Sequence, residues 1–169
     1  MGVVLKTLEF SNMFSYGPNN KLILNQNKIT QLAAPNGSGK SSLALIIQEL
    51  LYNKNVKGLK KSDILNKYNN AKTWEAKLVF SIDSDEYELT SKRQGASTKV
   101  SIIKNGEDVS EHKVLDTYKE LSNSIGRDFE TFSQLTYQSS TDLLEFLKAT
   151  DTNRKKFLVN LFNLSKYLD

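Results

Sequence analysis

Cysteine is absent from the 169 residues, which removes disulfide frameworks, thiolate metal sites and cysteine nucleophiles together. Histidine occurs once, at His112 in a polar stretch, so a histidine metal cluster is excluded and His112 reads as a surface residue. No run of about 18 apolar residues exists, and the N-terminus lacks the basic, apolar, small-residue order of a signal peptide. These absences lead to the expectation of a soluble, cytoplasmic protein with no membrane partner. Arginine is scarce, limited to Arg93, Arg127 and Arg154, although lysine brings the formal net charge to +4. That balance suits a polyanionic partner and equally a mildly basic surface. The length corresponds to about one domain.

What is present begins with alternation. VVLKTLEF at 3–10 and KLIL at 21–24 flank the turn signal YGPNN and predict a hairpin; KITQLAA at 28–34 predicts a third strand. SSLALIIQELLY then places Leu43, Ile46, Ile47, Leu50 and Leu51 at helical spacing. Residues 53–72 read as a loop with a short helix near Ile64 and Leu65. WEAKLVFSI at 74–82, EYELTSKR at 86–93 and TKVSIIK at 98–104 predict an antiparallel meander closed by Asn105-Gly106. HKVLDTYKELSNSIG predicts a helix stopped by Gly126, DFETFSQ a short helix, and LTY at 135–137 a return to strand. A last helix is expected to be capped by Asp151, Thr152 or Asn153 and to run to the final residues.

Between the expected third strand and the first helix lies APNGSGKSS, residues 34–42. It fits the phosphate-loop pattern at Gly39, Lys40 and Ser41, with Ala34 in place of the first glycine. Such a loop aims backbone N–H groups and a helix N-terminus at clustered phosphate charge. Gly37 and Gly39 permit the close approach, Lys40 reaches the β and γ phosphates of ATP, and the Ser41 hydroxyl ligates Mg2+. Asn36, Ser38 and Ser42 complete the cradle. Ala34 is tolerated provided its φ is negative. Two other nucleotide-like stretches read as ordinary loops: Asn66-Lys67-Tyr68-Asn69 lacks the carboxylate of a guanine reader, and the strand leading to Asp83 is interrupted by Ser81.

FSNMFSYG, PNGSGKSS, the meander, FSQLTYQSS and TNRKKFLVNLFNL, in that order, resemble the N-terminal lobe of an SMC-like ABC-class ATPase head, closest to the SbcC and phage recombination-exonuclease ATPase subunits of DNA break repair. The resemblance implies an α/β fold: a P-loop NTPase lobe of ABC type with an antiparallel meander, nucleotide-binding over 1–150, and a helix over 151–169 that begins a coiled-coil arm. It implies a Q-loop glutamine that ligates Mg2+, matched best by Gln138, with Gln134 as the other candidate. Ser139 stands where that family usually has glycine. Phe14, Ser15 and Tyr16 would lie beside the base or ribose, with Lys60 and Lys61 near nucleotide or DNA. Lys92, Arg93, Lys99 and Lys104 are candidates for contacting DNA phosphates without reading sequence.

Complete heads of that family also carry a signature sequence, an apolar strand ending in Asp-Glu and a switch histidine. LSNS at 121–124 lacks the signature glycines, and no hydrolytic catalytic residue is expected within the chain. The resemblance therefore implies the ATP-binding half of a DNA recombination or repair ATPase, shortened or naturally split. It would hydrolyse ATP only with a C-terminal lobe, form head-to-head homodimers when complete, present an apolar sheet face to that lobe, and regulate an SbcD-like nuclease at DNA ends. Two other readings remain open from the residues: a stand-alone module that competes for an ATPase head, and a small-molecule phosphate-loop kinase.

Overall fold

The computed structural model describes residues 2–136 and 148–162. They divide into two compact units, Met1–Ile125 and Gly126–Asp169.

In the first unit, period-2 alternation produces one antiparallel sheet: β1 (Val3–Ser11), β2 (Asn20–Ile23), β3 (Thr73–Ile82), β4 (Asp85–Gln94), β5 (Ser97–Lys104) and β6 (Glu107–Asp108), in the order β2-β1-β3-β4-β5-β6. β3 shows why the pattern works. Trp74, Ala76, Leu78, Phe80 and Ile82 are all buried, while Glu75, Lys77 and Val79 between them face outward. Register continues the apolar face through Leu8 opposite Leu78 and Leu78 opposite Leu89. The expected meander is confirmed, including the tight turn at Asn105 (φ 50°) and Gly106 (φ 89°).

α1 (Lys40–Tyr52) and α3 (Val114–Ile125) cover the apolar face, α1 lying over β3 and β4 and α3 over β5. Leu43, Leu45, Ile46, Leu50 and Leu51 of α1 and Tyr118, Leu121 and Ile125 of α3 are buried. Each such side chain contributes about 1.5–3 kcal/mol, so this layer holds the sheet and fixes where α1 starts. Asn53 in left-handed conformation ends α1, and Gly126 (φ 69°) follows α3 as expected. α2 is a single turn, Lys61–Ile64.

The opposite sheet face is largely polar. Lys21–Glu9 (2.6 Å), Lys77–Glu88 (2.7 Å), Lys92–Glu75 (2.9 Å) and Lys6–Glu86 (2.9 Å) form ion pairs across it. Such exposed pairs are worth about 0–1 kcal/mol each, so they solubilise the face and set register more than they hold the fold. Val4, Ile23 and Val79 lie on this same face, Val4 opposite Ser81 and both Ile23 and Val79 opposite Thr7, and the exposed apolar side chains elsewhere include Ile29 and Leu32 after β2.

That stretch carries a correction. Residues 28–34 do not form a strand. Strand backbone needs a partner, and among the described residues the sheet ends at β2, which pairs with β1 alone. Ile29 is accordingly 87% exposed.

In the second unit, α4 (Phe129–Thr136) and α5 (Asp151–Leu161) are in contact. Asp128 starts α4, its carboxylate accepting from the Thr131 N–H at 2.8 Å. Leu135 and Thr136 continue this helix, against the expected strand: Phe129, Phe132 and Leu135 recur at helical spacing, and that period prevails. α5 begins one position earlier than expected, Thr150 accepting from the Arg154 N–H at 2.9 Å, so Asp151 is already helical.

Candidate phosphate-binding site

The candidate loop forms the turn into α1. Gly37 (φ 83°) and Gly39 (φ 93°) are both left-handed, a conformation that costs other residues about 1–2 kcal/mol. Gly39 occupies the N-cap position, and the Ser42 N–H donates to its carbonyl at 2.9 Å. Ala34 is not among the residues with positive φ, so the alanine sits without strain where the pattern has glycine.

Among the described residues no side chain caps α1, and no acidic residue lies in its first turn. The partial positive charge of a 13-residue helix is thus left for an anion, an effect worth about 0.3–1 kcal/mol at an exposed end. Lys40 folds back over the loop: its Nζ donates to the carbonyls of Ala34 at 2.5 Å and Pro35 at 2.8 Å. An ammonium has three protons, so one remains for a phosphate oxygen while the loop carbonyls hold the group in place. Ser41 is exposed beside it. Asn36 through Ser42 are therefore brought together as one turn whose donors and charge fit a polyphosphate.

Gln138 lies outside the described residues. Gln134 falls within α4, in the other unit, and the strand expected to place the Q-loop is absent up to Thr136.

The segment after β1 packs directly on the loop. The Tyr16 hydroxyl donates to the Gly39 carbonyl at 3.1 Å, and the Tyr16 ring meets Phe10 edge-on at 5.1 Å. Burial pushes the Tyr16 hydroxyl up from its ordinary pKa. A Cβ added to Gly39 would lie 2.5 Å from Ser15 Oγ and 3.1 Å from Tyr16 Cε2. Phe14 has φ 53°, uncommon for an aromatic residue, and its N–H donates to Ile64 at 2.6 Å.

Asn66 is the residue that sequence reasoning passed over. It is 3% exposed, donates its side-chain amide to the Tyr16 carbonyl at 2.8 Å and its backbone N–H to Asn12 at 2.8 Å, and accepts from Tyr68 N–H at 2.7 Å. Asn69 adds a bond to the Asn12 side chain at 2.8 Å. The stretch is a loop, as expected, but its amides bracket the segment that holds Gly39. Three asparagines near turn signals were the available clue.

The lysine candidates separate. Lys61 is ion-paired with the buried Glu49, while Lys60 is exposed. Lys92 pairs with Glu75, Lys104 pairs with Asp85 at 2.7 Å, Arg93 donates to Thr98 at 3.2 Å, and Lys99 is exposed. Among the described residues no group of three or more His, Asp or Glu side chains could hold a metal ion, and no helix is long and apolar enough to cross a membrane.

A left-handed glycine turn leading into a helix over an antiparallel sheet is an arrangement this chain shares in fold with the N-terminal lobe of SMC-like ABC-type ATPase heads. Residues 7–169 match the AAA domain family, and the chain belongs to it. It is 47% identical over 165 residues to the probable exonuclease subunit 2 of Escherichia phage T5, covering 98% of this chain and 27% of that protein. It is 28% identical over 181 residues to an uncharacterized protein of Acanthamoeba polyphaga mimivirus, covering 96% of this chain and 13% of that protein. The chain thus spans about a quarter or less of the length of these relatives. Among solved structures, one from work on ATP-driven dimerization and DNA-stimulated activation of SMC ATPases superimposes with a TM-score of 0.66 at 21% identity, covering 94% of this chain and 99% of the other. The recombination mediator RecF bound to ATP superimposes with a TM-score of 0.55 at 16% identity, covering 98% and 54%. At these identities the likeness shows the fold.

Proposed function

We propose that this chain is the ATP-binding N-terminal half of a DNA recombination or repair ATPase that regulates an SbcD-like nuclease at DNA ends. The observation that carries this reading is the uncapped N-terminus of α1 behind Gly37 and Gly39, with the Lys40 ammonium held over the same turn. The likeness to the phage exonuclease subunit supports the DNA context.

The residues fit ATP with Mg2+. Asn36, Gly37, Gly39, Lys40 and Ser41 supply backbone donors, Ser38 and Ser42, whose N–H groups bond Pro35 and Gly39 within the turn, offer hydroxyls, Lys40 supplies charge, and the Ser41 hydroxyl offers one metal ligand, with Gln138 proposed as a second. Bound Mg2+ would neutralise phosphate charge. What the chain itself does is hold the triphosphate: Lys40 gains a charge-assisted bond of about 1.5–3 kcal/mol, and the helix end adds its dipole. The division into a nucleotide-binding lobe over 1–150 and an arm helix from 151 belongs to the same proposal. So does DNA contact without sequence readout, in which Lys92 and Lys104 exchange carboxylates for phosphates and Lys99 joins them.

No signature glycines and no apolar strand ending in Asp-Glu occur in the sequence, so turnover requires a C-terminal lobe and a second head. The test is ATP turnover on mixing the chain with a separately expressed C-terminal lobe carrying those segments. Turnover only in the mixture, lost with Lys40→Ala, is the expected result. Turnover by the chain alone would overturn the half-site reading.

A further inference from the structure

We propose that Tyr16 is a positioning residue for the phosphate loop, its hydroxyl holding Gly39 at the start of α1 while an asparagine bracket holds Tyr16. The inference rests on the nucleotide-binding reading and deepens it, because it assigns Tyr16 to the phosphates where the family resemblance assigns it to the base or ribose.

Gly39 is the hinge of the site, left-handed at φ 93° and ψ 10° and preceded by a loop that is exposed from Pro35 to Ser38. Among the described residues no strand pairing anchors the stretch from 29 to 36 that leads into that loop. Its fixed points are the body of α1 and the contact from the β1–β2 connection. There the Tyr16 hydroxyl donates to the Gly39 carbonyl, and Ser15 Oγ and the Tyr16 ring occupy the space a Cβ would need. Tyr16 is in turn fixed on three sides. Its ring packs on Phe10, its N–H donates to Met13 at 2.9 Å, and its carbonyl accepts from Asn66.

The bracket itself is built against strain. Asn12 (φ 59°) and Phe14 (φ 53°) are both left-handed, and such residues persist where surrounding bonds over-determine them. Those bonds are Asn12 N–H to Gly17 at 2.9 Å, Phe14 N–H to Ile64, Asn66 N–H to Asn12, and Asn69 to the Asn12 side chain. Asn12 Nδ2 also donates to Thr73 at 3.2 Å, at the start of β3. A polar network linking the β1–β2 connection, the 65–69 loop and β3 thus ends on one carbonyl of the phosphate loop.

Tyr16→Phe separates the two roles, since phenylalanine keeps a ring able to stack on a purine and removes only the hydroxyl. The probes are MgATP and inorganic tripolyphosphate, which has no base. Binding of both to the 169-residue chain and its variant is measured well below the melting temperature. Positioning predicts that Tyr16→Phe weakens ATP and tripolyphosphate by the same factor, about two- to tenfold for one lost hydrogen bond. Unchanged affinity for both probes overturns the inference while leaving the nucleotide reading intact. A loss for ATP alone also overturns it, in favour of a base or ribose contact. Failure of the unmodified chain to bind either probe overturns the nucleotide reading, and the inference with it.

Discussion

The ammonium of Lys61 is ion-paired with the carboxylate of Glu49, whose side chain is only 2% exposed, joining α2 to the last turn of α1. Lys61 also donates to the Asn53 carbonyl at 2.8 Å, and Glu49 accepts from Asn55 at 3.3 Å. A charge this deep is tolerable because it is paired, so a lysine offered by resemblance as a nucleotide or DNA contact is structural.

Removing the cation should therefore cost more than removing the pair. Lys61→Met leaves the Glu49 carboxylate buried without its partner and is expected to lose about 2–3 kcal/mol in urea denaturation, while Glu49→Gln with Lys61→Met recovers most of the loss. Equal losses in the single and double variants would show that the pair is not what holds α2.

Alkaline pH should act through Tyr118. Burial pushes its hydroxyl up to about 12, against an opposing hydrogen bond with Ser91. An unfolded tyrosine ionises near 10, so the folded form alone keeps its proton between pH 10 and 12. The contribution, about 2–3 kcal/mol, is fully present below pH 10 and is lost as pH rises to 12. Stability should fall across that window, and Tyr118→Phe should flatten the fall; an equally steep fall in the variant would assign it to other groups.

The two small residues of the loop should respond in opposite ways. Ala34→Gly restores the usual glycine at a position outside the left-handed region, so it is expected to leave ATP affinity unchanged and to cost no more than about 1 kcal/mol through chain entropy. Gly39→Ala adds a Cβ against Ser15 and Tyr16 at positive φ, and is expected to weaken ATP about tenfold or more. Calorimetric titration of both variants checks the contrast.

The meander and the loop–helix junction were legible because their signals are local. β3 alternates strictly, and Gly37 and Gly39 sit beside Lys40 where positive φ is needed. Residues 28–34 misled because a strand depends on a partner, and sequence alternation carries no information about whether one lies alongside. Thr136 misled because a two-residue β signal competed with the Phe129, Phe132, Leu135 spacing of α4. Asn66 was illegible as a functional support, since its bonds to Tyr16 and Asn12 close over about 50 residues of chain, beyond any local pattern.

The central claim, that residues 34–42 grip a nucleotide triphosphate, is tested most directly by equilibrium binding of MgATP to the chain and to Lys40→Ala. Lys40 holds only loop carbonyls, so its removal should leave the melting temperature nearly unchanged. The account predicts a loss of affinity of about ten- to a hundredfold, the worth of one charge-assisted bond to phosphate. A Lys40→Ala chain that binds MgATP as tightly as the unmodified one would contradict it.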